Sequence, residues 1–126
     1  MRCSHCGICC EKTEMLLSKE DVERLLRKGY KKDRFARCDK KGFVKLRNYG
    51  GYCVFYDHER RRCKVYGQRP SGCRLYPVIY DEEKGIVLDE ICPMKNTITE
   101  REKERKGREV VKLLRRIDEE AKHRVF

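Results

Sequence analysis

Cys3, Cys6, Cys9 and Cys10 crowd four thiols into the run Cys3-Ser4-His5-Cys6-Gly7-Ile8-Cys9-Cys10, and any fold of this chain must place those sulfurs. A CxxC turn aims two sulfurs at one centre. Gly7 permits the tight or left-handed backbone that returns Cys9 to the same place. Three thiols at this spacing are a strong metal signal. Cys9 and Cys10 are neighbours whose side chains diverge in most backbone conformations, so they serve two centres or share a polynuclear one. The competing reading of a CxxC is a redox dithiol or a disulfide pair. That reading requires neither the full CxxCxxCC run nor the further cysteines at Cys38, Cys53, Cys63, Cys73 and Cys92.

Composition explains why the chain needs such sites. Its 126 residues allow one domain. Leu, Ile, Val and Phe make up 28 of them, about 22%, while charged residues are 42% and the formal net charge is +11. Disordered chains begin at about 20% of those apolar residues. A structural metal site contributes roughly 10–16 kcal/mol in apparent terms, comparable with the whole stability of a domain. The metal-free chain is therefore expected to be unfolded or molten.

Nine cysteines could also mark a secreted disulfide scaffold. Against this, the count is odd, no apolar signal segment precedes Cys3, and no stretch approaches the roughly 18–20 apolar residues of a membrane span. A reduced, cytoplasmic protein without membrane association is expected. Thiolate ligation lowers the charge: eight thiolates with two divalent ions remove about four positive charges and leave about +7. That is still basic enough to attract polyanions.

Along the chain, Ser18 is placed to cap a helix from Lys19 to Lys28, with Gly29 just past its end and Val22, Leu25 and Leu26 as its apolar stripe. Lys31 to Lys41 reads as a basic, irregular link containing Cys38. Phe43 to Arg47 reads as a strand, Asn48 to Gly51 as a turn, and Tyr52 to Tyr56 as the partner strand carrying Cys53. Asp57 to Arg61 turns into a short strand, Arg62 to Tyr66, with Cys63. Pro70 suits the first turn of a short helix presenting Cys73. A second hairpin, Pro77 to Tyr80 with Ile86 to Asp89, delivers Cys92-Pro93. Thr99 and Glu102 form a capping box for a helix from Glu100 to about Arg124, in which Gly107 is the one weak point. The stripe Val110, Leu113, Leu114, Ile117 and Ala121 is expected to pack on the Val22/Leu25/Leu26 helix, or else to form a dimer contact. The expected class is α+β: a small, irregular, metal-stapled domain over residues 1–98 with two short β-hairpins and an N-terminal helix, and a long amphipathic helix over 99–126.

Cys53, Cys63 and Cys73 are spaced ten apart, each on or beside a turn, and with Cys92 and the N-terminal four they make eight. The pattern Cys3-x-x-Cys6-Gly7-x-Cys9-Cys10, then Cys53, then Cys63-x-Val65-Tyr66-x-x-Arg69-Pro70-x-x-Cys73-Arg74-x-Tyr76-Pro77, then Cys92-Pro93, resembles the YkgJ-type cysteine cluster proteins, a family described as zinc- or iron-chelating. The resemblance covers residues 3 to 93. It implies metal binding by those eight cysteines more firmly than it implies a task. Cys38 lies outside the pattern and is treated as a buried or free thiol. Larger proteins carrying this array resemble flagellin lysine N-methylases, but no glycine-rich cofactor loop or second domain supports that activity here.

The run Cys3, Cys6, Cys9 with a remote Cys92-Pro93 parallels ferredoxin ligation of a [4Fe-4S] cluster. The competing reading is a pair of four-thiolate zinc sites or a small zinc cluster. Thiolate softness suits both, and both stay open. A working partition gives Cys3, Cys6, Cys9 and Cys92 to one centre and Cys10, Cys53, Cys63 and Cys73 to the other. Arg69 and Arg74 flank Cys73 and could donate to thiolate sulfurs, or could be surface charge. His5 and His58 could substitute as zinc ligands or be solvated.

No Ser/His/Asp arrangement, catalytic carboxylate pair or phosphate loop is visible, so no stand-alone enzyme is expected. The leading expectation is a metal-sulfur protein, an electron carrier or a metal-stabilised accessory module with an unidentified protein partner. The second is RNA binding on a metal-built scaffold through Lys31, Lys32, Arg34, Arg37, Arg60, Arg61 and Arg62. Tyr30, Tyr49, Tyr52, Tyr56 and Tyr66 would then be the stacking residues. The alternative places those tyrosines in the hairpin core and the charges on a solvated face.

Overall fold

The computed structural model describes residues 10–90, 92 and 94–125. Ser18 opens α1 (Lys19–Arg27) through a reciprocal capping box, its hydroxyl accepting the Asp21 N–H and the Asp21 carboxylate accepting the Ser18 N–H. Gly29, at φ 96°, makes the left-handed exit. The stretch expected as an irregular link instead holds α2 (Lys32–Phe35) and β1 (Ala36–Cys38). The cause is a turn the charge pattern conceals: the Asp39 carboxylate accepts the N–H groups of Lys41 and Phe43 and folds the chain back into β2 (Val44–Leu46). Thus β2 pairs with β1, Ala36 opposite Leu46, and not with the segment after residue 51. On its other side Leu17 N–H donates to Val44 and Leu46 N–H to Met15.

A separate hairpin follows. β3 (Asn48–Tyr49) and β4 (Tyr52–Cys53) meet through Gly50 and Gly51, both at positive φ, the tight turn that matches strand twist. β5 (Tyr56–Asp57) then pairs with β6 (Arg62–Cys63). After α3 (Ser71–Leu75) come β7 (Val78–Asp81) and β8 (Gly85–Leu88), the expected second hairpin, and then α4 (Glu100–Val125). The class is α+β as expected, but among the described residues there are four two-stranded antiparallel ladders rather than two hairpins.

One apolar cluster contains Leu17, Val22, Leu25, Phe35, Val44, Leu46, Phe55 and Val65. Phe55 lies between the rings of Phe35 and Tyr30, at 5.8 and 5.0 Å. Val22 and Leu25 are committed to this cluster and Leu26 is exposed, so α4 does not lie along α1. It packs instead on β7 and α3, burying Val110, Ile117 and Ala121. Its last turns meet α1 through polar contacts, Lys19 N–H to Glu120 at 2.8 Å and Arg116 to Glu20 at 3.1 Å. Gly107, expected as a weak point, is buried. A Cβ there would stand 2.9 Å from Ile86 Cγ2, so the missing side chain is what lets the helix approach β8. Among the described residues no helix is long and apolar enough to cross a membrane.

Candidate metal centre

The segment that leaves Cys10 is stitched to the β3–β4 hairpin. Glu11 and Tyr52 form an antiparallel bridge, and Lys12 N–H donates to Gly51 O at 2.7 Å. The bridge brings Cys10, the residue before Glu11, to the end of β4 that carries Cys53. The Asn48 side chain fixes the register from the other strand: its Oδ1 accepts the Thr13 N–H at 3.0 Å and its Nδ2 donates to Thr13 O at 2.9 Å. Alternation along β4 turns Cys53 to the interior, where it is buried in the apolar cluster, while Tyr52 faces the other way.

Cys63 lies opposite Tyr56 on β6 and packs against the same cluster. Cys73 reaches it from α3, whose position is set by α1. Asp21, with no solvent exposure, accepts the Ser71 N–H and Oγ–H at 3.0 Å each and pairs with Arg24 at 2.8 Å. Arg24 in turn donates to Arg69 O at 2.9 Å. The capping residue of one helix thus holds the start of the helix that carries Cys73. The sequence signal for the cap was Ser18 itself; nothing in it named Asp21 as its reciprocal partner or Ser71 as a contact.

Four thiol side chains therefore gather at one apolar cluster: Cys53 within it, and Cys10, Cys63 and Cys73 against it. Cys92 is also buried, 7% exposed, beyond β8. The segments before it and after Cys73 are joined by Tyr76 Oη donating to Asp89 Oδ2 at 2.8 Å and by Asp89 N–H donating to Pro77 O at 2.7 Å. Cys3, Cys6, Cys9 and His5 lie outside the described residues. Among the described residues no three His, Cys, Asp or Glu side chains are arranged as a metal site. The donor set nonetheless fits zinc or iron in kind, being soft thiols at buried or half-buried positions.

Cys38 is exposed on β1, its sulfur 3.6 Å from Asp39 O, which resolves the buried-or-free expectation towards exposure. Arg69 stacks on the Tyr66 ring, 4.0 Å to its centroid, and donates to Tyr66 O. Arg74 is exposed and lines a groove with α4. His58 sets its edge against Tyr52 and Tyr56. Of the basic residues, Arg37 is paired with Glu14 at 3.2 Å. Lys31, Lys32, Arg34, Arg60, Arg61 and Arg62 are exposed.

Comparison with known proteins places this array. A family model described as "CxxCxxCC: Putative zinc- or iron-chelating domain" matches residues 2–93. Over 82 residues the chain is 34% identical to an uncharacterized protein of Methanocaldococcus jannaschii, a match covering 60% of this chain and 43% of that relative. The chain thus matches less than half of the relative's length. No solved structure matches the chain.

Proposed function

Because the chain belongs to the CxxCxxCC family of zinc- or iron-chelating domains, we propose that it is a metal-binding protein whose thiolates hold zinc or iron and whose fold depends on them. The observation that carries this reading is the convergence of Cys10, Cys53, Cys63 and Cys73 on one apolar cluster from four separate segments. Segments so short cannot hold one another by strand pairing alone, since isolated two-stranded ladders are marginal in water. Thiolates drawn to shared ions would crosslink them. Cys3, Cys6, Cys9 and Cys92 complete the proposed set, in two centres.

When bound, zinc supplies structural crosslinks, and iron with sulfide supplies one-electron transfer as well. The chain's own contribution is to bury the sulfurs beside apolar side chains and to fix Cys73 through Asp21 and Ser71. With eight thiols available, closed centres in a structural or electron-carrying accessory module suit the ligand set better than an open catalytic one.

Metal and acid-labile sulfide analysis of protein purified without oxygen tests the reading. Zinc without sulfide in a colourless protein identifies structural centres. Iron with matching sulfide and a brown colour identifies clusters. Protein that carries neither metal in stoichiometric amount, yet unfolds cooperatively, contradicts the proposal.

A further inference from the structure

The alternation that turns Cys53 inward turns Tyr52 the other way, and there Tyr52 joins an aromatic group. Tyr49 stands opposite Tyr52 across the β3–β4 ladder, so their side chains leave the same face. Tyr52 stacks on Tyr56, centroids 5.1 Å apart and planes 19° from parallel. His58 sets its edge against both rings at 4.8 Å. Core packing accounts for Tyr30, which meets Phe55, but not for Tyr49, which is 83% exposed at the hairpin end. The chain then runs straight into Arg60, Arg61 and Arg62, all exposed and without an ion pair among the described residues. Their turn is ordered, because the Asp57 carboxylate accepts the N–H groups of Glu59 at 3.0 Å and Arg60 at 3.2 Å.

We infer that this surface binds single-stranded RNA, with unpaired bases stacking on Tyr49 and on the Tyr52–Tyr56–His58 group and phosphates meeting Arg60 and Arg61 in the turn that carries His58. Aromatic faces beside clustered cations are the surface that single strands recognise, because every base presents a π face whatever its sequence. A duplex keeps those faces stacked between neighbouring base pairs, out of reach of an aromatic side chain. Unpaired loops and ends are where RNA displays its bases, and these supply the single strand. The charge agrees: a formal +11 favours a polyanion even after thiolate ligation lowers it.

The test is fluorescence anisotropy of metal-loaded, full-length protein with a labelled mixed-sequence RNA of about ten nucleotides, roughly one site length, and with its duplex. Binding is expected to favour the single strand and to weaken with salt at a slope that reports the phosphates met. Tyr49→Ala should weaken it roughly five- to hundredfold, the loss expected for one stacked base. Arg60→Gln with Arg61→Gln should weaken it and flatten the salt slope, whereas Lys84→Gln with Lys122→Gln, an equal loss of exposed charge elsewhere, should do neither. Indifference to Tyr49→Ala, equal weakening by both charge pairs, tighter binding of the duplex or of the matching single-stranded DNA, or no binding at low salt each overturns the proposal.

Discussion

Asp21 Oδ1 accepts both the backbone N–H and the hydroxyl of Ser71 at 3.0 Å, across a separation of 50 residues, while Oδ2 accepts the Ser18 N–H at 3.2 Å. One fully buried carboxylate thus caps α1, anchors the start of α3 and neutralises Arg24. Asp21→Ala is expected to destabilise the protein by about 2–4 kcal/mol, because it leaves a guanidinium and two amide donors without their acceptor. Ser71→Ala should cost only about 1 kcal/mol. Urea midpoints of the two variants give the comparison, and similar values would mean that the network is not centred on Asp21.

Gly107→Ala is expected to destabilise rather than stabilise, against the roughly 1 kcal/mol that helix propensity favours alanine. The added methyl would press on Ile86, and overpacking of this kind costs about 1–3 kcal/mol. Ile86→Ala removes the obstructing atoms, so Gly107→Ala should be tolerated better in that background. A double-mutant cycle by thermal unfolding reads the coupling. Additive effects would place Gly107 out of contact.

The cysteines should divide by burial. Cys38→Ser, on the exposed edge of β1, should leave bound metal unchanged. Cys53→Ser, within the apolar cluster, should lower retention by more than the roughly 10- to 100-fold typical of losing an outer-shell partner. Metal content after dialysis against a graded chelator separates them. Loss of metal from Cys38→Ser would require a ligand set different from the one proposed.

Glu14 links two strands electrostatically. Its carboxylate accepts from Lys45 and from Arg37, each at 3.2 Å, and the Lys45 contact above all holds its carboxyl below the ordinary value of 4.5. A carboxyl lowered by folding adds stability at pH above that ordinary value, and the contribution disappears as pH falls through its lower folded value. The group is exposed, so the effect should be small and weaken in high salt. Carbon-detected titration of Glu14 should show the downward shift at low ionic strength and a smaller one at high. An unshifted carboxyl would remove the contact from solution.

α1, α3 and α4 were legible because their signals are local, whereas α2 was read as part of an irregular link. Ser18 and Gly29 bound α1, and Thr99 with Glu102 starts α4, all within one turn of the residues they cap. The β7–β8 hairpin was legible from its Asp-Glu-Glu-Lys-Gly turn. Pairing of the earlier strands was not, because the side chain that decides it, Asp39, looks like one more charge in a charged stretch. The contact of Gly107 with Ile86 also depends on tertiary approach, and helix propensity alone read that glycine as a weak point. Among the expected ligands, the cysteine spacing announced a set, while the approach of Cys10 to the cluster that holds Cys53 emerges only from the structure. The grouping of Tyr49, Tyr52 and Tyr56 depends on strand register and ring stacking, which no count of tyrosines could supply.

X-ray absorption at the metal edge of protein purified without oxygen tests the central claim most directly, because it reports the atoms that surround the ion. Thiolate centres predict a first shell of sulfur alone at roughly 2.3 Å. A shell dominated by nitrogen or oxygen at about 2.0–2.1 Å would contradict the account.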